Sequence, residues 1–218
     1  MTRYIGKIAV FGIVSGILQA QPISFGVKAG VPFTDAVEGN ISIHSEAPRY
    51  TIGPTVELGL PFGFAAEVSA LYKRTGYSST DTAFGLTSAS RVRANSWEFP
   101  IMAKYYLPSF ELPLRPFVEA GYVVRRLSNI EGSVYNFGLV SGSPVNSNTS
   151  LNTSFLIRDN PTHGVAAGAG VRLKLGPLRI APEVRYTRWT GQAFNEQGSR
   201  GFFVQSLQNQ AEFLLGLT

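Results

Sequence analysis

Gly164-Val165-Ala166-Ala167-Gly168-Ala169-Gly170-Val171-Arg172-Leu173-Lys174-Leu175-Gly176-Pro177-Leu178-Arg179-Ile180-Ala181-Pro182-Glu183-Val184-Arg185-Tyr186-Thr187 is the stretch that decides the fold. Two runs meet at Gly176-Pro177, a dipeptide that marks a tight turn. Before the turn, Val165, Ala167, Ala169, Val171, Leu173 and Leu175 are apolar; after it, so are Leu178, Ile180, Pro182, Val184 and Tyr186. The intervening positions hold the charges together with Gly, Ala and Thr. A period of two is the strand period, because successive side chains leave a strand on opposite faces. The stretch therefore reads as an antiparallel hairpin with one face free of charge.

The same pattern extends outward along the chain. It predicts strands at about Phe25–Val31, Tyr50–Leu60, Phe64–Lys73, Ser96–Leu107, Phe117–Arg125, Gly164–Leu175, Leu178–Thr187 and Gln210–Thr218. One face of each is apolar throughout. The other carries Lys28, Glu57, Glu67, Lys73, Glu98, Lys104, Glu119, Arg125, Arg172, Lys174, Arg179, Glu183, Arg185 and Glu212. A Lys or Arg facing lipid at the bilayer midplane costs about 2–4 kcal/mol, so complete exclusion of charge from one face is what a lipid-exposed wall requires. The charged face then points inward, where eight strands leave a bore that side chains fill. Gly26, Gly30, Gly121, Gly168 and Gly170 suit that crowded side, and the mixed signs predict an ion-pair network occluding the lumen.

The connections alternate in length. Pro61–Gly63, Pro108–Pro116 and Gly176–Pro177 are short, whereas Pro32–Arg49, Arg74–Asn95, Arg126–His163 and Arg188–Asn209 are long. All long connections fall at one end and both termini at the other. The expected fold is all-β: an eight-stranded antiparallel up-and-down transmembrane β-barrel with short periplasmic turns and four long extracellular loops. Pro54, Pro100 and Pro182 each remove a ladder donor, so bulges or strand ends are expected there. The loop Ser141–Ser154, rich in Ser, Asn, Gly and Thr and including Asn148 and Asn152 in Asn-x-Ser matches, reads as solvated and mobile.

At the N-terminus, Arg3 and Lys7 precede the apolar run Ile8–Leu18 and the small-residue spacing before Gln21. This is the pattern of a cleavable signal peptide, residues 1–20, with the barrel in 21–218. The run is about half the ~20 residues of a membrane-spanning helix. Cys is absent, which excludes disulfides, thiol chemistry and a lipoprotein cysteine. The formal charge of +5, or +3 without Arg3 and Lys7, is too mild to argue for nucleic acid.

Trp97-Glu98-Phe99-Pro100-Ile101 and Pro116-Phe117-Val118-Glu119-Ala120-Gly121 resemble stretches of the predicted outer-membrane β-barrel domain families. The pattern over about residues 23–218 is similar to the small barrels typified by the OmpA transmembrane domain and OmpX. That resemblance implies the bacterial outer membrane, reached by export, and handling by the barrel-assembly machinery. Its members usually end in an aromatic residue, where this chain has Gly216-Leu217-Thr218.

No catalytic constellation emerges. Of the two histidines, His44 lies in a loop and His163 at a strand mouth, and the basic neighbours of Glu98 and Glu119 favour an ion network over acid–base work. No spacing suggests a metal, and no cofactor is expected; Asp35, Glu38, Asp81 and Asp159 are too scattered for a calcium loop. Continuing the lipid-face parity past the apolar band reaches Arg74, Arg91, Arg93, Arg126 and Arg188, with His163 on the same side. These predict a belt for lipopolysaccharide phosphates, since Arg offers planar bidentate hydrogen bonds. The expected function is a non-enzymatic envelope protein with a structural or surface-interaction role, meeting outer-membrane lipids and an extracellular ligand through its loops. The alternatives are a narrow pore for small solutes or ions and a lipid-modifying enzyme.

Overall fold

The computed structural model describes residues 23–35, 37–39, 43–45, 50–108, 114–140, 142–151, 159–193, 195–197 and 203–218. The expected signal segment lies outside them, as does Asn152; of His44 only the backbone is described. Eight staves form the ring: β1 (Ile23–Pro32), β2 (Thr51–Gly59), β3 (Phe64–Ser69 continued by Leu71–Ala83), β4 (Leu86–Tyr106), β5 (Leu114–Val140), β6 (Thr162–Leu175), β7 (Leu178–Trp189) and β8 (Asn209–Leu217). Each pairs antiparallel with its neighbours, and β8 returns to β1 through rungs from Val27↔Leu217 to Pro32↔Glu212. The sheet is closed, so the barrel wall itself has no edge.

Side chains alternate across the wall as the period of two requires. Phe25, Ile52, Val68, Ile101, Val118, Val165 and Val184 are exposed on the outside, while Lys28, Glu67, Lys104, Glu119, Glu183 and Arg185 are buried inside. Aromatic residues gather at both margins of the apolar band. Tyr72 packs edge-on against Trp97 with centroids 5.2 Å apart at the long-loop end, and Phe64 lies 4.9 Å from Tyr105 at the short-turn end. Rings with a polar tip suit the membrane interfaces, where one end is apolar and the other wet.

Three expectations are corrected. The prolines do not shift the register. Pro54 faces Ala70, whose N–H donates to the Pro54 carbonyl at 3.0 Å, but Pro54 has no N–H to return. The Ala70 carbonyl instead sits over Gly53, where a Cβ would be 1.8 Å away, so only glycine fits. Pro100 and Pro182 likewise lie in staves that keep a constant register on both sides of them. The bulge that does occur is elsewhere, between Arg93 and Asn95 of β4, opposite Ser128 to Glu131 of β5, with Asn129 at φ 47°. Asn tolerates that left-handed conformation better than most residues.

The segments 74–95 and 126–140, expected as loops, are strands. β3 and β4 stay paired up to Ala83↔Leu86 at a Phe84-Gly85 turn, and β4 and β5 stay paired up to Leu86↔Gly138. The Ser- and Asn-rich stretch is also ordered into a strand, Ser143–Leu151, paired with Gly132–Val140. Ser, Thr, Tyr and Val in alternation satisfy a sheet in water as well as in lipid; what ends at Tyr72 and Trp97 is the exclusion of charge, not the strand. The staves thus continue into an arm at the long-loop end. Beside it, Asn195–Gln197, Phe203–Ser206 and Val37–Gly39 form a small second sheet.

Candidate functional site

The inward face builds the site. In its middle layer, Lys28 Nζ lies 2.5 Å from Glu67 and 2.7 Å from Glu183; Lys104 Nζ lies 2.6 Å from Glu67 and 3.4 Å from both Glu119 and Glu183. Arg185 donates through Nε to Glu119 at 2.9 Å and through Nη2 to Glu183 at 2.8 Å. All six side chains are buried. Three cations meet three carboxylates across the full width of the bore, because β1, β3 and β7, which hold Lys28, Glu67 and Glu183, are not neighbours in the sheet.

Above this layer, Lys73 reaches Glu98 at 2.9 Å and Glu212 at 3.5 Å, and Thr51 donates to Glu212 at 3.3 Å. Arg125 stands directly opposite Glu98 in register and stacks 4.1 Å from the ring of buried Trp189. Over these, Tyr77, Val92, Ala94 and Leu127 from the staves pack with Val37 of the small second sheet and with Ala193.

Below the middle layer, Arg172 donates to Glu57 at 2.5 Å, Tyr106 donates to the same carboxylate at 2.8 Å, and Arg172 also donates to the Tyr106 hydroxyl. Lys104 lies 3.9 Å from Glu57 and so joins this layer to the middle one. Arg179 donates to Ser24 at 3.0 Å, and Lys174 is exposed at the mouth. Within the upper and middle layers, Lys28, Lys73, Lys104, Arg125 and Arg185 balance Glu67, Glu98, Glu119, Glu183 and Glu212.

Inward parity was legible in the sequence, but several participants were not. Tyr106, Trp189 and Arg115 fall on the inward parity of β4, β7 and β5 and could have been reached by counting from Lys104, Arg185 and Phe117. Trp189 and Arg115 lie beyond the strand ends expected from the sequence, Thr187 and Phe117, and Tyr106 carries no formal charge to mark it.

Arg74, Arg126 and Arg188 are exposed just above the aromatic margin, with Arg126 directly opposite Trp97. Arg91 and Arg93 stand higher, on the arm, where Arg93 is opposite Glu131. His163 stacks on Tyr122 and shares a 2.7 Å hydrogen bond with its hydroxyl. Among the described residues no group of three or more His, Cys, Asp or Glu is placed to hold a metal ion.

No curated protein matches this chain. Among solved structures it is similar to the outer membrane protein OprG from Pseudomonas aeruginosa, with 10% identity, 90% of this chain and 93% of that one covered, and a TM-score of 0.49. It is also similar to Neisserial surface protein A, with 14% identity, 89% and 98% covered, and a TM-score of 0.33. A third similarity is to the outer membrane protease OmpT from Escherichia coli, with 10% identity, 89% and 92% covered, and a TM-score of 0.38. The family model described as the outer membrane protein beta-barrel domain matches residues 19–188, most of the chain. With a closed antiparallel ring whose outer wall excludes charge, the chain belongs to the outer membrane protein beta-barrel domain family, the barrels of the bacterial outer membrane.

Proposed function

We propose that this protein is a non-enzymatic envelope protein whose barrel is an occluded anchor and whose extracellular arm meets the surroundings of the cell. The observation that carries this is the middle layer of the bore. Lys28, Lys104 and Arg185 pair with Glu67, Glu119 and Glu183 from opposite sides, so this layer of the bore is spanned by buried side chains that hold one another. A paired, hydrogen-bonded buried network roughly breaks even, whereas opening it exposes uncompensated charges. Reconstituted in planar bilayers, the full chain should give no stable open-channel current. Large, sustained conductance in the wild type overturns the reading.

One observation favours a narrow pore as the second reading. In the upper bore Ser96 Oγ, Arg125 Nε and Nη2, and Trp189 Nε1 are buried without a protein hydrogen-bond partner. Buried polar atoms of this kind are ordinarily satisfied by water. Brief, small, cation- or anion-selective openings in the same recordings would favour that reading over the occluded anchor.

A further inference from the structure

The charge balance along the bore is broken at one place. The upper and middle layers are matched in sign, and the excess sits at the short-turn mouth. There Arg115, Arg172, Lys174 and Arg179 face a single side-chain carboxylate among the described residues, Glu57. The four cations stand on three adjoining staves, β5, β6 and β7, as two directly opposed pairs: Arg172 against Arg115, and Lys174 against Arg179. Like charges directly opposite destabilise a sheet.

Elsewhere in the bore such rungs are resolved. Lys104 faces Glu119, Glu98 faces Arg125, and Arg185 faces Glu212. The acidic rung, Glu57 against Glu67, has its cation, because Lys104 lies 3.9 and 2.6 Å from those two carboxylates. The two basic rungs share only Glu57, which Arg172 engages, among the side-chain carboxylates of the described residues. Their geometry is nonetheless fixed: the guanidiniums of Arg115 and Arg172 lie 5.3 and 4.1 Å from the same Tyr106 ring. Arg172 Nε is buried with no hydrogen-bond partner.

We propose that the short-turn mouth binds a phosphate-bearing anion between these two basic rungs. Neighbouring staves are about 4.8 Å apart and residues two apart along a strand about 7 Å, so the cations cover a patch of roughly 10 by 7 Å. One carboxylate occupies one guanidinium; a phosphate monoester, a phosphodiester headgroup or a pyrophosphate can engage several cations, and planar guanidinium forks suit its oxygens. The mouth opens at the short-turn end, so the ligand comes either from a phospholipid of the inner leaflet or from a soluble phosphate ester in the periplasm.

The test uses the full folded chain in a maltoside detergent, which carries no phosphate. Pyrophosphate is titrated by calorimetry, and phosphatidylglycerol is added to the same micelles while thermal unfolding is followed. The wild type should bind one or both probes saturably, and K174Q/R179Q, changed at the rim and outside the buried network, should weaken binding about tenfold or more. R158Q/R200Q, with the same loss of charge in the long connections of the sequence, should keep wild-type affinity. Unfolding of each variant without ligand shows that it is folded. Binding of the lipid alone identifies the headgroup as the source, and binding of pyrophosphate identifies a soluble ester. No saturable binding of either probe, an unaffected K174Q/R179Q, or equal weakening of R158Q/R200Q overturns the site.

Discussion

Glu119 stands directly opposite Lys104 and accepts from Arg185 Nε at 2.9 Å, so one carboxylate serves cations on two other staves. Replacing it with Ala leaves Arg185 Nε without an acceptor and the middle layer one carboxylate short of its three cations, and breaking a buried ion-pair network in this way costs about 3–5 kcal/mol in a protein interior. Glu119→Ala should therefore lower the unfolding midpoint in detergent by roughly 10 °C, and Glu119→Gln, which keeps an acceptor for Arg185, by less. An unchanged midpoint would mean that water screens the bore. That Glu119 and Lys104 point inward was legible from alternation alone. Which cation takes which carboxylate was not, because Lys28 on β1 meets Glu183 on β7 across the bore, and no rung of the sheet joins those staves.

At the level of elements, alternation marked where the chain is extended but the exclusion of charge marked only where lipid begins and ends. Thr75-Gly76-Tyr77-Ser78-Ser79-Thr80 carries no lipid-facing signature, yet it continues β3 in unbroken register with β4. The Asn129 bulge turns the faces over, so the even-numbered Ala120 and Tyr122 and the odd-numbered Ser133 and Tyr135 are all exposed on β5. A reading of parity carried through residue 129 assigns the upper residues to the wrong face. The arm is not uniform along its length. Tyr77, Ser79 and Val92 are buried, whereas Thr80–Thr82 and Phe84–Ala89 are exposed or half-buried. Because Ser79 and Ser90 are directly opposite, Thr80–Ala89 can be replaced by Asn-Gly, the dipeptide that closes a two-residue hairpin. The shortened protein should fold and unfold within about 3 °C of wild type, as expected where few buried contacts are lost. A fall of roughly 10 °C or more would show that the arm's tip braces the barrel.

For the whole molecule, the two ends of the barrel differ in what they offer. The short-turn end concentrates lumen-facing cations, while the long-loop end holds the Val37, Tyr77, Val92, Leu127 cluster within and carries exposed cations on the outside. Arg74 and Arg188 sit two residues above Tyr72 and Tyr186, and Arg126 stands level with Trp97, so all three lie at the outer margin of the apolar band. Arg93 stands a turn of the ladder higher, opposite Glu131, and is the least suited of the four to reach anions there. We propose that these residues contact lipid A phosphates, for which guanidinium is a better partner than ammonium. The competing account is that Arg merely keeps its charge in water while its stem lies on apolar surface. The two accounts separate in one comparison, in which Arg74, Arg93, Arg126 and Arg188 are all replaced by Gln and unfolding is followed in detergent with and without added lipopolysaccharide. If the belt binds phosphate, the lipid raises the wild-type midpoint by several degrees and the variant's by much less, and restoring Arg93 alone recovers the least. An equal gain in both proteins would mean that the four arginines do no more than keep their charges in water at the outer margin.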